Sequence, residues 1–435
     1  MTRPDAIPTI PPPDAESCFD IGAPDALQRM SELFARHGDI YRLFMPARGA
    51  YAYVIHHPND VKRVLVTNHR NYTKGVDIER IKVLLGLGLM TSEGELWQCQ
   101  RQMMQPFFHR RVVAQFASAI NQANDRLLAE WETKAIRGEV VNITEEMSEL
   151  TLEIVLRSVF GPDSDGVLEP FAVVTRNPVR NLEFVYEFRA LRKLVLDMVK
   201  QRRAEGCERS YFDYLAMLMG AREKNGGAPM SDRQLVDEVM TLVVAGHETT
   251  ASVLNWTWYL LSRHPEVEER LHAEIATQPA EMPPSLMEVE SMRYTGQVLN
   301  ETMRLYPPGW LLSRRTIAPD MLCGYEVPGG TEVLLPLYLL HRHPRYWKDA
   351  DRFEPDRFSP EREAERPRFA FVPFAAGPRH CIGETLALYE MLMHLRKAVP
   401  RFRLILVPDG KVELEAQINL RTGRPIRMVL ARRAQ

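Results

Sequence analysis

Hydrophobic positions in this 435-residue chain recur mostly at helical spacing, and period-two alternation is confined to short segments near the two ends. Residues 41–45 and 51–55 flank a turn at residues 47–49 and predict a hairpin. Further strand candidates are residues 331–335, 403–407 and 426–430. Nearly all of residues 58–304 predicts helices separated by Pro, Gly, Asp or Asn. The pattern therefore predicts a mainly α fold with a small β-sheet region.

The longest helical candidate covers residues 231–264. Ser231 and Gln234 can form a capping box at its start, and Pro265 stops it. At about 1.5 Å per residue such a helix is roughly 50 Å long, enough to cross a whole domain. It is apolar on most faces, so we expect it to be buried.

The centre of this helix is polar, with the run Ala245-Gly246-His247-Glu248-Thr249-Thr250. A glycine in a helix interior costs about 1 kcal/mol relative to alanine. Glu248 puts a charge in a buried element, and Thr249 can donate a hydrogen bond to the Ala245 carbonyl and bend the helix. From the residues alone, two interpretations are equally supported. One is a kinked core helix with a satisfied polar pair, and the other is a functional site.

A second helix is predicted over residues 384–399, and Cys381 lies just before it in a loop that contains Gly and Pro. Free N–H groups and the positive end of the helix dipole favour a thiolate at such a place. A thiolate is a metal ligand or a nucleophile, although no family signature of a cysteine nucleophile surrounds Cys381. A buried small hydrophobe is the ordinary alternative for any single cysteine.

Composition narrows the function classes. The formal net charge of −2 argues against nucleic acid as the main partner. Five scattered cysteines without a Cys-x-x-Cys pair indicate neither a disulfide framework nor a zinc site, which suits the cytoplasm. Residues 1–13 are polar and Pro-rich and lack the apolar core of a signal peptide, and no apolar run approaches the ~20 residues that span a bilayer. We expect a cytoplasmic protein without a membrane anchor.

The loop before the second helix carries a specific motif. Phe374, Gly377, Arg379, Cys381 and Gly383 match F-x-x-G-x-R-x-C-x-G at every fixed position. The chain thereby resembles the cytochrome P450 family of haem-thiolate monooxygenases. The resemblance implies that Cys381 is the proximal ligand of the iron of haem b and that the rest of the loop binds the cofactor. It also implies the cytochrome P450 fold, as one domain over residues 1–435 with a Pro-rich lead-in of about residues 1–30.

The polar centre of the long helix is similar to the oxygen-binding motif [AG]-G-x-[DE]-T-T of that family and departs from it nowhere. The resemblance implies that Ala245 and Gly246 lie against the haem. It also implies that Glu248 and Thr249 are the catalytic acid–alcohol pair that delivers protons.

A charge pair and a loop resemble the structural lock of the family. Glu301 and Arg304 are three residues apart on one helix face, a spacing that by itself indicates only a surface ion pair. With Arg357, in the loop at residues 353–358, they resemble the E-x-x-R helix and its third member. The resemblance implies that this triad holds the loop of Cys381 and does not touch the substrate.

Further cationic positions resemble the donors to the haem propionates. Trp97 and Arg101, four residues apart, match W-x-x-x-R and share a helix face, although a core Trp and a solvated Arg would look the same. Arg314 matches the arginine that follows the E-x-x-R helix, and the neighbouring Arg315 leaves that choice open. Arg379 is the third donor.

By position in the family, the substrate pocket is lined by four largely apolar segments, which are residues 76–91, 169–196, 308–312 and 417–420. In the family, two helices and a loop cover the pocket as a lid, and residues 169–199 look short for them. Either this lid is compact or residues are absent from this numbering.

The resemblance implies a monooxygenase that inserts one atom of O2 into a hydrophobic small molecule by hydroxylation or epoxidation. The substrate would be a fatty acid, a terpenoid or a polyketide-like compound. A separate ferredoxin or flavodoxin with an NAD(P)H-dependent reductase would supply the electrons. The alternatives are a haem-thiolate peroxygenase or isomerase, many of which lack the acid–alcohol pair, and a haem-binding sensor without turnover.

Overall fold

The computed structural model describes residues 18–176, 182–206, 211–223, 227–279, 283–408 and 412–433. In these residues the α-helices are α1 (Ala26–His37), α2 (Pro58–Lys62), α3 (Val76–Leu85), α4 (Gly94–Met104), α5 (Arg110–Val113), α6 (Ala117–Ile136), α7 (Ile143–Phe160), α8 (Asp165–Arg176), α9 (Leu182–Glu205), α10 (Tyr214–Gly220), α11 (Asp232–Arg263), α12 (Pro265–Ala276), α13 (Leu286–Ser291), α14 (Arg293–Leu305), α15 (Leu337–Leu340), α16 (Pro360–Ala364) and α17 (Glu384–Ala398).

The strands of the same residues are β1 (Ile40–Met45), β2 (Ala50–Ile55), β3 (Tyr72–Lys74), β4 (Val140–Asn142), β5 (Leu312–Thr316), β6 (Asp320–Leu322), β7 (Tyr325–Val327), β8 (Glu332–Leu335), β9 (Phe402–Leu406), β10 (Leu414–Ala416), β11 (Leu420–Thr422) and β12 (Arg427–Arg432). The predicted mainly α fold with a small β-sheet region is confirmed.

The chain divides into two compact units, and the first comprises residues 1–79, 300–381 and 412–423. Its main sheet has the strand order β1-β2-β8-β5-β3, and the pairs β6-β7 and β10-β11 stand apart from it. The buried side chains on the two faces of this sheet form separate hydrophobic clusters, around Tyr41 and Trp310 on one side and around Val64 and Leu335 on the other. This unit carries Arg314 and the loop of Cys381.

The second unit comprises residues 80–299, 382–411 and 424–435 and is almost entirely helical, with a small sheet in the order β4-β12-β9. α11 runs through it beside α7, and most of its side chains are buried. A capping box of Ser231 and Gln234 starts α11, as the sequence predicts. The helix ends at Arg263, and Pro265 occupies the first turn of α12, where its missing N–H costs nothing.

The predicted hairpin at residues 41–55 is confirmed, since β1 and β2 pair antiparallel from Ile40↔Ile55 to Met45↔Ala50. Gly49, at φ 58°, closes its turn in the left-handed conformation that favours glycine. Beyond the five predicted segments, the described residues contain seven further strands, which are the five-residue β5 and the three-residue β3, β4, β6, β7, β10 and β11. Three positions are too short for a period-two pattern.

The helix bounds describe two segments for which the sequence raised expectations. The segment at residues 169–199 does form two helices, α8 and α9, with residues 177–181 between them outside the described ranges. α1 begins at Ala26, inside the expected Pro-rich lead-in, of which residues 1–17 are outside the described ranges. No helix among the described residues is both long enough and apolar enough to cross a bilayer. That residues 1–435 act as one domain stays a prediction.

Candidate active site

The Cys381 loop is held by backbone contacts within the first unit. Gly377 has φ 73°, and a Cβ there would lie 2.0 Å from the Leu65 carbonyl oxygen, so only glycine fits. Ala375 also has a positive φ of 59°. The Cys381 N–H donates to the Phe374 carbonyl at 3.0 Å, which closes the loop, and the Cys381 side chain is exposed. A loop fixed in this way presents a thiol in one defined direction.

Gly383 lies in the second unit as the N-cap residue of α17. Its φ of −88° is accessible to any residue, so the backbone conformation gives no reason for a glycine. The close approach of a planar group therefore remains the predicted reason. An exposed soft thiol just before a helix N-terminus is the donor that haem iron accepts from cysteine, so the residues present fit a haem thiolate.

The predicted lock of Glu301, Arg304 and Arg357 is a buried network. Arg304 donates from Nε to Glu301 Oε2 at 2.6 Å and from Nη2 to Oε1 at 2.8 Å, and both side chains are 0% exposed. Arg357 Nε lies 3.3 Å from Glu301 Oε1. The alternative of a surface pair is wrong.

His341 extends this network toward the Cys381 loop and was not anticipated from the sequence. Arg304 donates to its carbonyl at 3.0 Å, and the His341 ring accepts the Val372 N–H at Nε2, 3.1 Å away. Burial, and next the charge of Arg304, lower the pKa of His341 to about 3, so the ring is neutral and can accept. Val372 in turn accepts from the Ala375 N–H inside the loop. The connection between lock and loop therefore consists of two hydrogen bonds of one histidine.

The structure separates the two adjacent arginines of β5. Arg315 lies 2.5 Å from Glu332 and 3.2 Å from Glu79, so its guanidinium is committed to carboxylates of the same unit. Arg314 points to the other face of the strand, where it is 7% exposed and donates to the Ser313 carbonyl. This arrangement favours Arg314 over Arg315 as a donor to a haem propionate.

The remaining predicted donors occupy two places. Arg379 closes a 3-10 turn at Gly377–Arg379 in the Cys381 loop and is half-buried. In the second unit, Trp97 and Arg101 lie one turn apart on α4, and both are half-buried. None of these three side chains is fully exposed to solvent. Partial burial is what we expect of donors that hold a cofactor.

The centre of α11 contains the predicted acid–alcohol pair. Thr249 Oγ1 donates to the Ala245 carbonyl at 2.7 Å, as the sequence allows. Ala245, Gly246, Glu248 and Thr249 are half-buried, whereas most of α11 is buried. A Cβ at Gly246 would lie 3.0 Å from Val155 Cγ2 of α7, so close helix packing is one reason for this glycine.

His247, the variable position of the motif, is a polar contact to α7 that the sequence did not reveal. It is 3% exposed, and its Nε2 lies 2.9 Å from Ser148 Oγ. Its carbonyl accepts from Thr151 Oγ1 at 3.3 Å. α7 therefore fixes α11 at the residue between Gly246 and Glu248.

The four predicted pocket segments are joined in pairs within each unit. In the first unit, Trp310 Nε1 donates to the Gln417 carbonyl at 2.8 Å, and the Leu420 N–H donates to Pro308 at 2.9 Å. In the second unit, Arg192 of α9 donates to the Leu84 carbonyl of α3 at 3.3 Å.

Comparisons with known proteins identify the family. The family model for Cytochrome P450 matches residues 17–170 and 164–418. The chain is 32% identical to cyclooctatin synthase of Streptomyces melanosporofaciens over 93% of this chain and 90% of the relative. It is 31% identical to pentalenene oxygenase of Streptomyces avermitilis, over 94% and 93%. The crystal structure of the cytochrome P450DA heme domain superposes with a TM-score of 0.83 over 95% of this chain and 94% of that chain, at 24% identity.

The family model covers nearly the whole chain and three curated relatives exceed 30% identity, which establishes the family. The similarity to cyclooctat-9-en-7-ol 5-monooxygenase of Streptomyces melanosporofaciens, 34% over 88% of this chain and 86% of the relative, agrees with the reaction class. The chain belongs to the cytochrome P450 family, has haem b as its cofactor and is a monooxygenase that inserts one atom of O2 into a hydrophobic small molecule.

Proposed function

We propose that Cys381 ligates the haem iron through its thiolate, that Glu248 and Thr249 deliver protons to the reaction, and that the substrate is an isoprenoid hydrocarbon. The observation that carries the proposal is the exposed Cys381 thiol in a loop closed by backbone hydrogen bonds just before α17. Haem bound through a thiolate supplies the activation of O2 and the transfer of one oxygen atom to the substrate.

Each turnover also consumes two electrons and two protons, because the second oxygen atom leaves as water. The Thr249 hydroxyl uses its hydrogen to bond the Ala245 carbonyl, which leaves both lone pairs of Oγ1 as acceptors for a water molecule. Glu248, the next residue and half-buried, is the acid that can reprotonate such a water. Thr249 would therefore orient a proton donor, and Glu248 would replenish it.

The cationic residues would hold the two propionates of the haem. Arg forks fit carboxylates through two parallel N–H bonds. Arg314, buried on the face of β5 away from Glu332, and Arg379 would serve as donors. Trp97 and Arg101, one turn apart on α4, would serve as further donors. Ala245 and Gly246 would allow the ring of the cofactor to approach α11.

The substrate class follows from the apolar lining and from the relatives. The four pocket segments are largely apolar, which favours ligands without charge. Relatives named pentalenene oxygenase and carotene epsilon-monooxygenase act, by those names, on isoprenoid hydrocarbons. We therefore favour an isoprenoid over a fatty acid or a polyketide-like compound.

The electron supply belongs to the same proposal. A ferredoxin or flavodoxin with an NAD(P)H-dependent reductase, all in the cytoplasm, would deliver the two electrons. Turnover with a surrogate pair of this kind, followed as NADPH and O2 consumption with product formation, tests this part. NADPH-independent turnover with hydrogen peroxide alone would instead indicate a peroxygenase.

A spin-state titration tests the substrate class. Pentalenene, β-carotene and palmitate are added separately to the ferric protein, and the shift of the haem absorbance from low to high spin is measured. We expect at least one isoprenoid to shift the spectrum at micromolar concentration and palmitate to have no effect. A shift with palmitate and with no isoprenoid would overturn the substrate class and leave the monooxygenase activity untouched.

A further inference from the structure

Two buried carboxylates near the start of α11 bind the backbone of the segment that follows α3. The Leu87 N–H donates to Asp237 Oδ2 at 2.9 Å, and the Leu89 N–H donates to Glu238 Oε2 at 2.8 Å. Asp237 is 2% exposed and Glu238 is 0% exposed. Residues 86–89, which we name the α3–α4 loop, are therefore fixed to α11 through their main chain.

Two glycines make this close approach possible. A Cβ at Gly86, which has φ 70°, would lie 2.3 Å from Asp237 Oδ1. A Cβ at Gly88 would lie 2.1 Å from Thr241 Oγ1 and 2.6 Å from the Asp237 carbonyl oxygen. Any side chain at either position would push the loop away from α11.

The carbonyl groups of the α3–α4 loop are bonded as well. Gln100 Nε2 of α4 donates to the Leu87 carbonyl at 2.7 Å, and Thr91 Oγ1 donates to the Gly86 carbonyl at 2.7 Å. Leu87 is thus held at both its N–H and its carbonyl, while its side chain is 36% exposed. The loop keeps an apolar side chain accessible on a fixed backbone.

Asp237 also binds the helix that covers this region. Arg192 of α9 forms an ion pair with Asp237 Oδ1 and donates to the Leu84 carbonyl of α3 at 3.3 Å. The side chain of Arg192 is 24% exposed, compared with 3% for the side chain of Asp237. One carboxylate therefore joins three elements of the second unit, which are α9, α11 and the α3–α4 loop.

We propose that Asp237 is a positioning residue for the substrate pocket, and that its ion pair with Arg192 must break for a substrate to enter or leave. The inference rests on the proposed function in one respect, namely that residues 76–91 and 169–196 line the pocket. Because α9 and the α3–α4 loop share one carboxylate, they separate from α11 together. The pair therefore sets the exchange rate of the substrate more than its affinity.

The size of the effect follows from the contacts. Without Arg192, Asp237 keeps the Leu87 N–H at Oδ2 and loses the guanidinium that pairs with Oδ1. We expect the dissociation rate constant of a bound apolar ligand to rise about tenfold, equivalent to about 1.4 kcal/mol. The same barrier governs ligand entry and release, so the association rate constant should rise too. The dissociation constant should therefore change less than either rate constant.

Stopped-flow binding of 4-phenylimidazole to the haem-loaded protein, followed by the haem absorbance, measures both rate constants. Arg192→Met removes the ion pair, and Gly86→Ala pushes the loop from Asp237 without touching a charge. Arg192→Lys keeps the cation and should restore most of the wild-type rate. Lys200→Met, an exposed position further along α9, is the matched control and should stay within twofold of wild type.

The result expected is a dissociation rate about tenfold faster in both Arg192→Met and Gly86→Ala. If either variant loses its haem, the other carries the test. Leu84→Ala, on the predicted lining, tests the pocket itself and should weaken the affinity for the probe. Weakened binding in Leu84→Ala with wild-type rates in both other variants would overturn the inference alone. Unchanged affinity in Leu84→Ala would overturn the pocket assignment and the inference with it.

Discussion

Removal of the Arg304 guanidinium is the perturbation whose effect the structure defines most fully. Arg304 is 0% exposed and donates to both oxygens of Glu301 and to the carbonyls of His341, Ala350 and Arg352. In Arg304→Ala the Glu301 carboxylate would stay buried with the Glu354 N–H at 2.9 Å and Arg357 Nε at 3.3 Å. Three carbonyls would lose a charged donor at the same time.

The magnitude follows from the burial of the pair. Breaking a buried ion pair by removing one partner costs about 3–5 kcal/mol, a large share of a total stability of about 5–15 kcal/mol. For a unit of roughly 150–250 residues each kcal/mol lowers the melting temperature by about 2–4 °C, so we expect a loss of about 6–20 °C. Because His341 connects this network to Val372 and the Cys381 loop, haem content should fall as well.

The assay compares haem per polypeptide and thermal unfolding by circular dichroism for wild type, Arg304→Ala and Arg362→Ala. Arg362 pairs with Glu354 at 2.6 Å in the same unit, but its side chain is 40% exposed, and such a pair contributes about 0–1 kcal/mol. Arg362→Ala should therefore behave like wild type. Full haem content and an unchanged melting temperature in Arg304→Ala would refute the reasoning, since the buried network would then contribute no more than a surface pair.

Three further predictions address proton delivery, helix contact and acid stability. Thr249→Ala should keep its haem and divert electrons to hydrogen peroxide; unchanged coupling of NADPH consumption to product would remove Thr249 from the mechanism. Ser148→Ala should cost about 1 kcal/mol in urea unfolding, because it removes the hydrogen bond to His247, and an unchanged midpoint would contradict this. Burial lowers the pKa of His56 to about 3 from an ordinary value near 6.5, so its neutral form is favoured in the fold. The contribution of neutral His56 to the free energy of unfolding is complete above pH 6.5 and is lost as the pH falls toward 3. At pH 5 the loss is about 2 kcal/mol, and His56→Phe should show that much less acid destabilisation than wild type.

Features that depend on neighbours in the sequence could be predicted. The capping box and bounds of α11, the β1–β2 hairpin and the back-bond of Thr249 follow from local patterns and appear as expected. The buried triad could also be predicted, although only through the family motif, since the spacing of Glu301 and Arg304 by itself indicates a surface pair.

Features that depend on long-range contacts could not be predicted in this way. His341 joins the triad to the Cys381 loop through bonds to residues 37 positions before it and 31 positions after it. Arg192 and Asp237 are 45 positions apart on different helices. Neither contact leaves a periodic or spaced pattern, because burial decides which polar groups must be paired. The three-residue strands were missed because three positions are too few for a period-two pattern, and the partners of β3 and β4 also lie far away in the sequence.

The most direct test of the account is the carbon monoxide difference spectrum of reduced Cys381→Ser. The account predicts that this variant lacks the thiolate-type spectrum, while Cys99→Ser and Cys323→Ser keep it, because only Cys381 is presented by the loop before α17. A thiolate-type spectrum in Cys381→Ser equal to that of wild type would contradict the assignment of Cys381 as the iron ligand.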